Sequence, residues 1–257
     1  MLLYNSECWQ EISPNTIQEL EDIQRKFYRC LFAVGSGCPI PCLYWETGGL
    51  MMHFRILQSK LLFLHHLETL SDDSLAKEVY DEQKRLELHG LVQECTEFLV
   101  MFGITRIGQY SKTQWKTLVK SKIAKMNKNV IISQSSYYKK INFEHLSEEK
   151  FERQLYLTNL NTSEARLRFK IKAKMTPTIQ MNFPSDAEFA SNLWTCSGCT
   201  DNAMGDKVVG SRDTQQHVMV CPGYADYREN KNLDDDRQLV RYFQQVIKLR
   251  LKSDDDT

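Results

Sequence analysis

The chain has 257 residues, 42% hydrophobic and 26% charged, with 33 basic side chains balancing 33 acidic ones, 11 glycines and 6 prolines. That is enough apolar mass for one large or two smaller domains, and the shortage of turn residues disfavours a strand-dense architecture, so a mostly α protein is expected. No apolar run exceeds five residues and no basic leader opens the chain, which excludes a membrane span and a signal peptide, while eight cysteines at this length are too sparse for a disulfide scaffold.

The expected location is therefore inside the cell, in nucleus or cytoplasm, with the cysteines as thiols or metal ligands. The balanced total hides a partition. Residues 1–102 carry 8 Lys/Arg against 15 Asp/Glu, residues 103–182 carry 16 against 5, and residues 183–257 carry 9 against 13. A central third this basic suits a polyanionic partner, although solvated helix faces also collect lysine.

In chain order, Ser13 before Pro14 starts a first helix that Gly35 and Gly37 close, with Ile17, Leu20, Ile23, Phe27, Leu31 and Val34 forming its buried stripe. The "CPIPC" stretch that follows reads as a rigid loop, because proline is excluded from helix interiors. A second helix is expected from about Leu50 to Leu70, with Met51, Phe54, Leu57, Leu61, Leu64 and Leu67 on one face. His65 and His66 are neighbours in sequence, point about 100° apart on a helix, and read as surface or packing residues rather than a metal pair. Further helices fit 74–88, 91–102 ended by Gly103, 111 to about 130, and 148–159.

Two basic helices bear on partners. "KTQWKTLVKSKIAKMNK" places Trp115, Leu118, Val119, Ile123 and Met126 on an apolar face, and Lys116, Lys120 and Lys122 leave it. "SEARLRFKIKAKM", opened by Ser163 and Glu164, sets Arg166, Lys170 and Lys174 four apart, with Arg168 and Lys172 between them. Like charges at that spacing repel on an isolated helix by a few tenths of a kcal/mol per pair, and an anion relieves the cost. The competing reading is a solvated face.

Residues 194–224 raise a metal question. Cys196 and Cys199 have knuckle spacing with Gly198 between them, and His217 and Cys221 lie one helical turn apart. Four such donors suit a closed, structural zinc site. The long polar spacer "TDNAMGDKVVGSRDTQQ" between the pairs does not forbid it, since loop-closure entropy grows only logarithmically with length. The competing reading is two free thiols and a Cys221 buried behind Val218 and Val220. A zinc deaminase is excluded by motif order, because the Cys pair comes before His217 and no glutamate flanks His217 at the His-x-Glu spacing.

Several stretches together resemble the C-terminal portion of non-LTR retrotransposon (LINE-type, jockey-like) reverse transcriptases. "LLYNSECW" resembles the segment between palm and thumb, "YLTNLNTSEARLRFKIKAKM" the basic helix after the thumb, and Cys196, Cys199, His217 and Cys221 with "CPGYADYR" the terminal Cys-Cys-His-Cys motif. The chain departs from the pattern at Thr200, where a glycine is common, and in the spacer before His217. The resemblance implies a helical, thumb-like bundle over 1–145, then a basic helix, a zinc-knuckle-like unit and a terminal helix over 146–257. It also implies RNA or DNA held by its backbone on Arg166, Arg168, Lys170, Lys172 and Lys174, with a full-length reverse transcriptase as a possible partner. The family's RNA-directed DNA polymerase activity resides in palm aspartates that "SDDS", "LDDDR" and "SDDDT" do not resemble, so no catalytic residues are assigned. Trp115, Tyr137 and Tyr138 are candidates for base stacking, with core burial as the commoner fate of such aromatics. The terminal helix "DRQLVRYFQQVIKLRL" presents Leu239, Val240, Phe243, Val246 and Ile247 for docking or for a partner. A helical protein-interaction module with merely solvated lysines is the alternative.

Overall fold

The computed structural model describes residues 3–9, 12–88, 90–138, 151–173, 175, 218–219, 221, 224–229 and 231–255. The described residues are mostly helical and include no strand. The helices are α1 (Pro14–Phe32), α2 (Ile40–Thr47), α3 (Met52–Glu68), α4 (Leu75–Arg85), α5 (Leu91–Met101), α6 (Lys112–Ser135), α7 (Tyr156–Asn159), α8 (Thr162–Lys172), α9 (Ala225–Arg228) and α10 (Asp236–Asp255), with 3-10 turns at Ser6–Cys8 and Ile107–Gln109. None of the described helices is long and apolar enough to cross a membrane.

The chain divides into two compact units. The first takes the residues up to Tyr28, Leu43–Tyr138 and Phe151–Glu152, and the second takes Arg29–Cys42 and the described residues from Arg153 onward. The boundary expected near residue 145 lies outside the described residues, and Arg29–Cys42 goes with the C-terminal unit rather than the N-terminal one.

In the first unit α3 is the hub, contacting α4, α5, α6 and the Ser6–Cys8 turn. Along α6, Trp115, Val119, Ile123, Asn127, Ile131 and Ser135 are buried, an unbroken every-fourth-residue ridge. The Trp115 indole N–H donates to the Leu61 carbonyl at 2.8 Å, and its ring stacks at 5.7 Å on His65. His65 is 5% exposed and hydrogen-bonds the Tyr110 carbonyl, so it packs as expected; His66 is exposed.

The α1 stripe differs from the sequence expectation. Ile23, Phe27 and Leu31 are exposed, and the buried positions are Glu21, Gln24, Tyr28 and Phe32. The cause is a polar network. The Glu21 carboxylate accepts from the Tyr44 hydroxyl and from the Met52 amide, both at 2.5 Å, and Gln24 donates to Tyr28 and to the Leu50 carbonyl. The Asn127 side chain closes the same loop, accepting from the Met51 amide at 3.0 Å and donating to the Gly49 carbonyl at 3.2 Å. Helix α3 has no side-chain cap of its own at Met51, so Glu21 and Asn127 satisfy the backbone donors that a local cap would. Gly49 is needed here for space, since a Cβ would lie 2.3 Å from the Tyr28 hydroxyl oxygen.

Other boundaries follow local chemistry. "CPIPC" is the start of α2 rather than a loop: Pro39 precedes the helix and Pro41 occupies its first turn, where a missing N–H costs nothing. Gly103, at φ +62°, stops α5 as its sequence suggests. Of the helix expected over 148–159 only Tyr156–Asn159 is helical among the described residues. Helix α8 begins two residues earlier than Ser163 suggests, because Asn161 and Glu164 form a reciprocal capping box.

The second unit gathers α7, α8, α9 and α10 around Ile171, Val218, Tyr224, Leu239, Tyr242 and Phe243. Phe32, at the end of α1, stacks on Phe169 with ring centroids 3.8 Å apart. From α10, Leu239, Tyr242, Phe243 and Val246 enter this core; Val240 is also buried, and Ile247 is partly so.

Candidate nucleic-acid interface

Helix α6 carries Lys112, Lys116, Lys120, Lys122, Lys125 and Lys128 and no acidic residue in 24 positions. Because every fourth residue from Trp115 faces the core, the residue after each ridge position is carried out to one flank. Lys116 and Lys120 stand there, exposed, in line with exposed Lys112. Lys125 is also exposed, Lys128 is partly buried, and the Lys122 ammonium lies 4.9 Å from the centre of the Phe102 ring. Among the described residues Lys112, Lys116, Lys120 and Lys125 have no partner. Successive members of the flank rise by about 6 Å and turn by about 40°. The arrangement is locally unfavourable: lysines four apart repel, and Lys112 and Lys116 sit at the positive end of the helix dipole.

Helix α8 treats its cations differently. Arg166 donates its Nε–H to the Leu31 carbonyl at 2.8 Å, capping the C-terminal end of α1, where a cation also meets the negative end of the dipole. Arg168 pairs with Asp236 at the first turn of α10. Lys172 donates to Gln154 at 3.1 Å and lies over the Tyr156 ring at 5.5 Å. Lys170 is partly buried, and Lys174 lies outside the described residues. Ala165, Phe169 and Ile171 point into the unit.

The three candidate stacking aromatics separate by exposure. Trp115 is buried at 1% and bound through its N–H, Tyr138 is partly buried, and Tyr137 is 83% exposed just past the end of α6. Lys112, Lys125 and the isolation of Tyr137 were not singled out from the sequence. The absence of any acid between residues 112 and 135 is the signal that marks the whole helix.

Of the proposed zinc ligands, Cys196, Cys199 and His217 lie outside the described residues. Cys221 is fully buried among Val218, Tyr224, Tyr242 and Phe243, a placement that suits a thiolate in a water-free structural shell as well as a packed thiol. Among the described residues no three His, Cys, Asp or Glu side chains form a metal-holding group. Burial pushes the Cys38 and Cys95 thiols up to about 12, against the smaller opposing charges of Arg29 and Lys60, so both are neutral and unreactive.

One carboxylate escaped notice in the sequence. Burial drives the Glu21 carboxyl upward, but hydrogen bonds from His53, Tyr44 and the Met52 amide, with the charge of His53, hold it below the ordinary value. His53 stands 3.5 Å from it. Both carboxylate oxygens are committed to joining α1, α2 and α3, which makes Glu21 a structural anion. Burial and the Glu21 hydrogen bond raise the Tyr44 phenol, so its proton stays in that contact.

No family model matches the chain, and no curated protein or solved structure matches it either.

Proposed function

We propose that this chain is a non-catalytic helical module that binds RNA or DNA through its backbone phosphates, a fragment of the kind its resemblance to non-LTR retrotransposon reverse transcriptases implies. The observation that carries the reading is α6, with six lysines, no acid, and four of the lysines exposed without a partner among the described residues. A helix that stacks repelling charges at spacing 4 and at the wrong end of its dipole gains from a polyanion what it lacks alone. Lys116, Lys120 and Lys122 are the contacts first expected, and Lys112 and Lys125 extend them. Arg166, Arg168 and Lys172 are assigned the second role of shaping the C-terminal unit, with any phosphate contact there in competition with Leu31, Asp236 and Gln154, while Lys170 and Lys174 keep the phosphate contacts expected of them.

Structural zinc on Cys196, Cys199, His217 and Cys221 belongs to the same reading, as a fixed unit following the basic helix, in nucleus or cytoplasm and in company with a full-length polymerase. A second reading, a protein-interaction module, is favoured by the exposed apolar residues Leu75 and Val79 of α4 and Val100 and Met101 of α5. Binding to single-stranded RNA, followed from about 50 to about 200 mM salt, separates the two. Nucleic-acid binding requires a steep loss of affinity as salt rises, and absence of binding at the lower salt favours the interaction module.

A further inference from the structure

We infer that α6 and Tyr137 together form a platform for single-stranded rather than duplex nucleic acid: the lysine flank follows the phosphates, and the Tyr137 ring takes an unpaired base. The inference rests on the phosphate-binding reading of α6 given above. Three observations carry it. The first is length: Lys112 and Tyr137 bracket a helix of 24 residues, about 36 Å long, room for several nucleotides of an extended strand. The second is the flank itself, in which Lys112, Lys116 and Lys120 are exposed at four-residue spacing, the last two directly following the core positions Trp115 and Val119.

The third is Tyr137. An aromatic side chain of this size normally gains by burial, yet it is 83% exposed, while its neighbour Tyr138 is half-buried and Trp115 at the other end is fully packed. It follows the C-terminal turn directly, its amide bonded to the Gln134 carbonyl at 3.3 Å, so its backbone is held to the helix that carries the lysines. Stacking needs a base face free of its stacked neighbours, which a duplex offers only at its ends and a single strand offers along its length. A cationic groove with an aromatic platform is the general solution for single strands, tolerant of sequence because every base has a face to stack.

The test uses the full chain and three ligands of equal length: an oligothymidylate of about twelve nucleotides, an abasic deoxyribose-phosphate strand, and a blunt duplex. The wild type should bind oligothymidylate about tenfold more tightly than the abasic strand, and more tightly than the duplex. Tyr137→Ala should erase that preference while leaving abasic-strand affinity unchanged, and Tyr137→Phe should retain it. Replacing Lys116 and Lys120 together by Gln should lower the salt slope by roughly 1.4 for a single strand. Equal, salt-dependent binding of thymidylate and abasic strands by the wild type overturns the platform and leaves phosphate binding by α6 standing. An unchanged salt slope in the double lysine variant overturns the placement on α6. No binding of any ligand removes the phosphate-binding reading and the platform with it.

Discussion

Helices α6 and α8 are both rich in basic residues, six lysines on the first and a mixture of arginine and lysine on the second, and both are opened by a reciprocal capping box, yet they spend their charge in opposite ways. On α8 the cations turn inward along the chain: one caps α1, one pairs with the first turn of α10, one lies over Tyr156. On α6 Lys112, Lys116, Lys120 and Lys125 face solvent without a partner among the described residues. A basic stripe in a sequence therefore says little until its counter-charges are located. The segment with nearby acids and carbonyls is architecture, and the one without them is left with charge to offer.

Both helices are anchored by one large ring, and truncating either should have the largest effect. Trp115→Ala removes a fully buried indole with its hydrogen bond to Leu61, and Phe169→Ala removes the ring stacked on Phe32. Each should cost about 3–5 kcal/mol in chemical denaturation. A much smaller loss for one of them would mean that its helix is held less firmly than its packing indicates.

The contrast sharpens with charge changes. Lys116→Glu combined with Lys120→Glu should reduce single-strand affinity at low salt by at least tenfold and leave the unfolding midpoint nearly unchanged, since Lys112 gains an opposite charge four residues on while positions 116 and 120 still repel each other. Arg168→Gln should do the reverse, leaving affinity unchanged and lowering stability by about 1 kcal/mol as Asp236 loses its partner. If Arg168→Gln weakens binding as strongly as the α6 variant does, the division of labour between the helices is wrong.

Acid offers a third comparison. The Glu21 carboxyl is held below its ordinary value of 4.5 in the folded protein, so the unfolded chain takes up the proton first. Its contribution is complete above about 4.5 and is lost as pH falls through the folded value. The unit containing α6 should lose stability over that range, and Glu21→Gln should flatten the acid limb of the stability profile. The smallest expected effect belongs to Lys112→Glu, which replaces a cation at the first turn of α6 by an anion and should stabilise the helix by about 0.3–1 kcal/mol.

How much was legible in the sequence follows from how local the cause was. Ser13 before Pro14 and Gly103 act within one turn, and the corresponding helix ends are where the sequence puts them. The buried stripe of α6 was legible because its apolar residues and its lysines alternate with helical period. The face of α1 was not. Hydrophobicity alone turns Ile23, Phe27 and Leu31 inward, whereas the fold turns Glu21 and Gln24 inward because Tyr44, Leu50 and Met52, twenty or more residues away, supply their partners. The role of α8 was hidden for the same reason: a sequence shows the arginines together and the carbonyl of Leu31 and the carboxylate of Asp236 far off. Of the candidate metal ligands only Cys221 lies among the described residues.

The start of α3 has a consequence for how the protein is made. Its opening amides are received by Glu21, 31 residues before Met52, and by Asn127, 76 residues after Met51. During synthesis the ribosome delivers α3 long before it delivers Asn127, and short helices without closed ends fray in water. The hub of the N-terminal unit should thus stay loose on the nascent chain until most of α6 has emerged, and folding there should come late and all at once rather than helix by helix.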